Sequence, residues 1–134
     1  MADHKNPTSV HDLADCEYVL LTTYTHDGRA KPTPVWAARD GDALVAVSDA
    51  EAWKVRRITG EPRVTLAACD MRGDLRGGAV DGVAVVVDGT LVQRVEAALR
   101  RKYGWKMALL DLTARLRPRR PRVGLVVRDV ARGR

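Results

Sequence analysis

Residues 48–62 carry the residue types best suited to bind a phosphate group. They predict a short helix after an apolar strand, with Ser48 as its cap and Glu51 completing a Ser-x-x-Glu capping box. Lys54 and Arg57 lie three residues apart and therefore share one face of that helix. Because a helix start has unpaired N–H groups and a partial positive charge, cations there favour an anionic ligand. A basic helix that only faces solvent is the alternative interpretation.

The second predicted strand, residues 29–39, contains two prolines among possible ligand contacts. Proline cannot donate to a strand ladder, so we expect this strand at the edge of a sheet. Alternation divides its side chains between two faces, with Lys31, Thr33 and Val35 on one and Pro32, Pro34 and Trp36 on the other. A planar ligand lying against the strand and a plain edge protected by prolines both fit this pattern.

The elements that position these residues predict one mainly β domain over residues 1–134. Thr8 or Ser9 is expected to cap a helical arm within residues 1–16. Residues 131–134 are expected to form a frayed tail. Hairpin turns, alternation and glycine breaks then predict strands at 17–25, 29–39, 43–48, 63–70, 79–88 and 122–130, and helices at 48–60, 90–103 and 105–116. Helical connections among mostly antiparallel strands favour a small closed barrel.

Several classes of function lack their sequence signatures. No apolar run approaches the roughly 20 residues of a membrane helix, and the first residues lack a signal peptide's apolar core, so we expect a cytoplasmic protein. Cys16, Cys69 and the histidines form no metal-ligand or nucleophilic constellation, and we expect the two thiols to be buried and reduced. No Gly-x-Gly-x-x-Gly precedes a helix, which argues against a dinucleotide-binding fold.

The charge is unevenly distributed along the chain. The net charge is +6, but residues 94–134 alone carry +10 and the first 93 residues carry −4. Such a basic segment predicts an anionic partner: nucleic acid, acidic lipid, or a small ligand with phosphate and carboxylate groups. A nucleic-acid module is not expected, because the cations are not interleaved with a stacking platform.

Four motifs, in this order and spacing, resemble the pyridoxamine-phosphate-oxidase-like split-barrel superfamily. They are Lys-x-Thr-Pro-Val-Trp in the second strand, Trp-Lys-Val-Arg-Arg-Ile after the third, Pro-Arg-Val-Thr-Leu in the fourth and Lys-Tyr-Gly-Trp late in the chain. The resemblance spans about residues 18–129 and is greatest to the branch of small actinobacterial flavin/deazaflavin oxidoreductases that use coenzyme F420. It implies an FMN-binding-like split β-barrel that forms a homodimer, with cofactors at the subunit interface.

The resemblance also implies roles for particular residues. Lys54 and Arg57 would hold the cofactor phosphate, with Ser48 as a further contact. The cofactor ring would lie against the second strand, at Lys31, Thr33, Pro34, Val35 and Trp36. Apart from the resemblance, Tyr103 and Trp105 flank Gly104, and they are expected either to close over the ring or substrate or to pack at the subunit interface. Trp53 is expected to anchor its helix to the barrel.

The activity implied by the resemblance is hydride transfer between reduced coenzyme F420 and a small conjugated organic substrate. Water, the cofactor or Lys31 would supply the proton. Coenzyme F420 carries an oligoglutamate tail, which four cations of the basic segment would attract: Arg100, Arg101, Lys102 and Lys106. An FMN-binding split barrel and an F420 carrier with little turnover are the alternatives.

Overall fold

The described part of the chain is mainly β structure, as predicted. The structure is a computed structural model that describes residues 5–108 and 121–130. Seven strands run through these residues: β1 (Tyr18–Tyr24), β2 (Ala30–Val35), β3 (Ala38–Asp40), β4 (Ala43–Asp49), β5 (Arg63–Cys69), β6 (Leu75–Val87) and β7 (Arg122–Asp129). The helical elements are a 3₁₀ turn (Val10–Leu13), α1 (Trp53–Gly60) and α2 (Thr90–Tyr103), and residues 105–108 are also helical.

The seven strands form one antiparallel sheet that curls into a barrel. Their order is β2-β1-β5-β6-β7-β4-β3. The two end strands, β2 and β3, are consecutive in the chain and are separated only by Trp36 and Ala37. The chain itself therefore brings the two ends of the sheet together, which accounts for a barrel rather than a flat sheet.

Aliphatic side chains fill the barrel interior. In β1, Val19, Leu21 and Thr23 are buried while their neighbours are half-buried, which is the alternation of a strand with one face inward. The 3₁₀ turn contributes Val10 and Leu13 to this core, and α1 contributes Val55 and Ile58. The chain has no Phe, and Leu, Val and Ala supply the interior instead.

A second core lies between α2 and the outer face of the sheet. Val95, Ala98 and Leu99 of α2 pack with Ala43 and Val45 of β4. The predicted bounds of α2 are confirmed. The cap is Gly89, with φ of 62°, and no side chain caps the helix, although Thr90 and Gln93 have the residue types and spacing of a capping box. Gly104 ends the helix at φ of 57°, where glycine is favoured.

The second predicted strand is in fact two strands. The chain leaves the β1 ladder after Val35 and enters the β4 ladder at Ala38, so residues 29–39 pair with two different neighbours. Closure of the barrel causes this break, and alternation along the sequence gives no sign of it. The predicted edge position is confirmed for β2, which pairs with β1 and places Pro32 and Pro34 at the end of the sheet.

The predicted start of α1 is wrong by about four residues. Ser48 and Asp49 still belong to β4 and pair with Val123 and Arg122 of β7, so the strand ladder prevents Ser48 from capping. The helix begins at Trp53 after Ala52, and no side chain caps it. Its end at Gly60 is confirmed, but the next residue, Glu61, is extended, and no left-handed cap forms.

Two further boundaries differ from prediction. The N-terminal helix is a single 3₁₀ turn that follows Ser9, whose hydroxyl donates to Asp129 at 2.6 Å. Strand β6 begins at Leu75 rather than at residue 79, because the ladder with β5 continues past an irregularity near Cys69. The predictions for 109–120 and 131–134 lie outside the described residues.

Candidate functional site

Lys54 and Arg57 lie side by side on α1, as their spacing predicts. Lys54 is half-buried, and burial lowers the pKa of its ammonium, with Arg57 acting in the same direction and Asp49 in the opposite one. The ammonium forms no hydrogen bond or salt bridge with any described residue. A half-buried cation without a bonded acceptor is suited to bind an anion.

A buried hydroxyl connects Arg57 to the sheet. Thr23 of β1 has 0% exposure, and its Oγ1 accepts a hydrogen bond from Arg57 Nε at 2.6 Å. The same hydroxyl faces the carbonyl of Lys31, its cross-strand partner in β2, at 3.4 Å. Among the described residues, Arg57 donates a hydrogen bond through Nε, so its two terminal nitrogens are able to donate to a ligand. We call Thr23, Lys54 and Arg57 the anion seat.

Strand β2 supplies further predicted contacts beside the anion seat. Lys31, Thr33 and Val35 pair across the ladder with Thr23, Leu21 and Val19, and cross-strand partners share a face of the sheet. These three residues therefore lie on the barrel-interior side, to which α1 also packs. Pro34 lies on the opposite face, near Gly73 of the turn before β6.

The structure places Ser48 differently from its predicted role. Ser48 is buried in β4, and its hydroxyl donates to the carbonyl of Asp49 at 3.1 Å. It shares the barrel-interior face with Ala46 and Leu44. The Ser48 hydroxyl thus donates its hydrogen bond within the strand. A contact between Ser48 and a phosphate group stays a prediction.

Two of the three predicted aromatic contacts, Trp36 and Tyr103, lie together, and the third, Trp105, is exposed. Trp36 stacks on Tyr103 with ring centroids 4.5 Å apart and planes 9° apart. The Tyr103 hydroxyl accepts from the Ala37 N–H at 3.0 Å and donates to the Glu17 carbonyl at 2.8 Å, and burial raises its pKa. Tyr103 therefore packs within the chain. Trp105 is 69% exposed and keeps its role only as a prediction.

Trp53 does not anchor α1 to the barrel, contrary to the sequence interpretation. Its side chain is 69% exposed, and the Arg56 guanidinium lies 5.0 Å from its ring centroid. Val55 and Ile58 perform the anchoring instead, because they are the helix residues buried in the core.

Most of the cations predicted to attract an anionic tail have internal partners. Lys102 Nζ donates to the carbonyls of Cys16 and Ala37, both at 2.5 Å, and burial lowers its pKa to about 8. Lys106 forms a salt bridge with Glu17, and Arg100 lies 3.7 Å from Glu96. These contacts weaken the expectation that the α2 cations act as a free basic surface.

Metal and thiol chemistry find little support in the described residues. Within 5–108 and 121–130, no group of three His, Cys, Asp or Glu side chains could hold a metal ion. Cys69 is buried and Cys16 is half-buried, and burial raises the pKa of both thiols, that of Cys69 to about 11. Both are therefore poor nucleophiles near neutral pH. No helix in this part of the chain has the length and apolar character needed to span a membrane.

Two shallow cavities among the described residues lie away from β2. One of about 400 Å³ lies beside the β1–β2 turn and includes Tyr24, His26 and Asp81. The other, of about 260 Å³, lies between the 3₁₀ turn, β3 and α2. Within β2, Lys31 and Pro32 are exposed, so this part of the strand beside the anion seat is open to solvent on the single chain.

Comparison with known proteins identifies solved structures with a similar fold. A search of curated protein sequences finds no match. Among solved structures, a conserved hypothetical protein from Mycobacterium tuberculosis is 25% identical with a TM-score of 0.64, covering 92% of this chain and 79% of its own. An F420 reductase is 24% identical with a TM-score of 0.59, covering 90% and 93%.

The haem storage protein HutZ from Vibrio cholerae shares the fold at 16% identity and a TM-score of 0.62, covering 87% of this chain and 83% of its own. The family model for pyridoxamine 5'-phosphate oxidase matches residues 9–134, and the antiparallel barrel is consistent with the split barrel of that family. With nearly its whole length matched, the chain belongs to the pyridoxamine 5'-phosphate oxidase family.

Proposed function

We propose that the chain is an oxidoreductase that binds coenzyme F420 and transfers hydride between the reduced deazaflavin and a small conjugated organic substrate. The anion seat is the observation on which this proposal depends. Lys54 is half-buried without a bonded partner, and Thr23 holds Arg57 beside β2. The phosphate group shared by deazaflavin and flavin cofactors fits these two cations.

Different residues of the site would bind the phosphate and contact the ring. Lys54 and Arg57 would hold the phosphate, while Thr33 and Val35 on the interior face of β2 would contact the ring. A bound deazaflavin supplies the hydride. The chain fixes the orientation of the bound molecules and limits access of water. Lys31 lies on the same face as Thr33 and is exposed, which makes its ammonium the proposed proton donor.

Coenzyme F420 is preferred over FMN because of the motifs and the net charge. The motifs of β2 and α1 resemble the deazaflavin branch, and residues 94–134 carry a net +10. An F420 reductase shares the fold, although at 24% identity this likeness concerns the fold alone. The pairing of Lys102 and Lys106 within the chain reduces the charge available to a polyanionic tail.

A homodimer is part of the proposal. Lys31 and Pro32 of β2 are exposed on one chain, and Trp105 is 69% exposed. A second copy of the chain could cover these side chains and supply the missing wall of the cofactor site. This arrangement would leave the substrate to enter above the ring.

Titration of the purified protein with coenzyme F420 and with FMN, followed by fluorescence, tests the cofactor. We expect Lys54→Ala and Arg57→Ala to weaken binding by at least about fivefold, as for loss of a charge-assisted hydrogen bond. Arg56→Ala is the matched control, since Arg56 is exposed and lies over Trp53. If all three variants bind the cofactor with equal affinity, the anion seat does not bind the cofactor phosphate.

The same titration separates the alternatives. Tighter binding of FMN than of coenzyme F420 would select the FMN-binding alternative. Tight binding of coenzyme F420 without oxidation of its reduced form, across a panel of enones and nitroaromatic compounds, would select a carrier protein.

A further inference from the structure

A second cleft lies between the 3₁₀ turn, β3 and α2, and none of its lining residues belongs to the anion seat or β2. Its volume is about 260 Å³, and it is lined by His11, Ala14, Asp15, Ala38, Arg39, Ala98, Arg101 and Lys102. The three alanines are buried. The depression exists because none of these three side chains extends beyond Cβ, so the charged residues form a rim around an apolar floor.

The rim carries more positive charge than its acids neutralise. Arg39, Arg101 and Lys102 face one lining carboxylate, that of Asp15. Arg101 forms no hydrogen bond or salt bridge with any described residue. Asp40 lies near Arg101, but Arg94 binds both of its oxygens, at 2.8 and 3.1 Å. The guanidinium of Arg101 therefore lacks a dedicated counter-ion.

Lys102 presents a half-buried charge to the same cleft. Two of its three N–H donors bind the carbonyls of Cys16 and Ala37, both at 2.5 Å. The groups that act on its charge are Asp15 and Glu17, the thiol of Cys16 and the ring of Tyr103. Neutral carbonyls compensate a buried ammonium only in part, so an added acceptor would be stabilising.

We propose that this cleft binds a small organic anion, with its carboxylate or phosphate group at Arg101 and Lys102 and its carbon skeleton over the alanine floor. A guanidinium presents paired donors that match the oxygens of either group. The cleft goes beyond the proposed function, which assigns the cofactor phosphate to Lys54 and Arg57. The sequence interpretation gave Arg101 and Lys102 only to the cofactor's oligoglutamate tail, whereas the cleft is proposed to take a separate small molecule.

Backbone amide chemical shifts, followed by NMR, test the proposal during titration with succinate and, separately, with glycerol 3-phosphate at constant ionic strength. We expect saturable shifts in residues 11–15, 38–39 and 98–102, and tighter binding of one probe identifies the anionic group. Arg101→Ala should weaken binding about fivefold, as for loss of one exposed charge pair. Arg100→Ala is the matched control, since Arg100 is exposed one residue earlier and pairs with Glu96.

A second readout follows from Lys102, whose pKa is lowered to about 8 by burial. A bound anion favours the ammonium form, so binding at pH 8 should take up protons, measured by calorimetry in two buffers of different ionisation enthalpy. Arg57→Ala should leave cleft binding unchanged, which separates this site from the cofactor site. Shifts that do not saturate, or equal losses in the Arg100 and Arg101 variants, would overturn the proposal.

Discussion

At the residue scale, Thr23 shows how one buried hydroxyl sets the position of a cation. Its Oγ1 accepts from Arg57 Nε at 2.6 Å, so the guanidinium is held before any ligand binds. We expect Thr23→Val, which keeps the shape and removes the hydroxyl, to weaken FMN or F420 binding by roughly fivefold or more. The measurement is the fluorescence titration used for Lys54→Ala.

Thr23→Ser is the control for this prediction, because it restores the hydroxyl while removing a methyl group. Its affinity should approach that of the unmodified protein. Urea unfolding of both variants would show whether the buried site tolerates the change. A Val variant that binds as tightly as the Ser variant, while Arg57→Ala binds weakly, would show that Thr23 does not position Arg57.

The sequence identified Lys54 and Arg57 because their spacing on a helix is sufficient to place them together. Thr23 was missed, although it is a polar residue at an inward position after Val19 and Leu21. A polar residue at an inward position was the available signal. The hydrogen-bond partner of Thr23, however, is Arg57 of α1, which lies 34 positions later in the chain. Long-range partners of this kind depend on the tertiary fold.

At the element scale, the last turn of α2 clamps the break between β2 and β3. Trp36 and Ala37 lie outside both strands, so their backbone groups need other partners. The Tyr103 hydroxyl accepts from the Ala37 N–H, and Lys102 donates to the Ala37 carbonyl. Trp36 stacks on the same tyrosine ring. The clamp therefore fixes the point at which the barrel closes.

Removal of the Tyr103 hydroxyl tests the clamp. We expect Tyr103→Phe to lower the free energy of unfolding by about 1–3 kcal/mol, because the buried Ala37 N–H loses its acceptor. Urea denaturation measures the change. Tyr24→Phe is the control: its hydroxyl pairs with Thr65 at 2.7 Å at a half-buried position, where water can replace it. An equal, small loss in both variants would contradict the clamp.

Lys102 makes the clamp sensitive to pH. Burial lowers its pKa to about 8 from the ordinary 10.5, so between these values the unfolded chain binds more protons than the folded one. Stability from this group must therefore rise as pH increases from about 8 to 10.5. Burial raises the pKa of the Cys16 and Cys69 thiols, which acts in the opposite direction in this range. The expected result is therefore a less positive slope of unfolding free energy with pH in Lys102→Met than in the unmodified protein. An unchanged slope in that variant would assign the effect to other groups.

The boundaries of strands and helices were predictable where local turns determine them. The errors occur at boundaries that are determined by pairing with residues distant in the chain. Asp-Gly signals located the β1–β2 hairpin, and glycine located the end of α2. The start of α1 moved to Trp53 because β7, more than 70 residues later, extends β4 to Asp49. The division into β2 and β3 likewise follows from barrel closure, which alternation cannot reveal.

At the scale of the whole molecule, the strand order explains why the candidate site is an open face. β2 and β3 are the two ends of the sheet, and the anion seat lies beside one of them. The motifs predicted the family and the position of the cations. They could not predict which walls a single chain supplies, because those walls depend on the closure of the barrel.

The assembly itself is the last prediction. Two large apolar side chains of β6 are exposed on the single chain, Leu75 at 63% and Val85 at 51%. We therefore test these two positions as contacts of the proposed dimer. We expect light scattering to give twice the chain mass of 14.7 kDa. A charge introduced by Leu75→Lys or Val85→Lys should shift the protein toward the monomer, because a lysine ammonium is costly to bury.

If the second subunit completes the cofactor site, the same variants should bind coenzyme F420 or FMN more weakly while their unfolding midpoints stay close to that of the unmodified protein. Arg56→Ala should keep both the dimer mass and the affinity, since it removes an exposed charge over Trp53. Monomeric variants with full cofactor affinity would place the whole site on one chain. The open face beside β2 would then be the route by which the substrate reaches the ring.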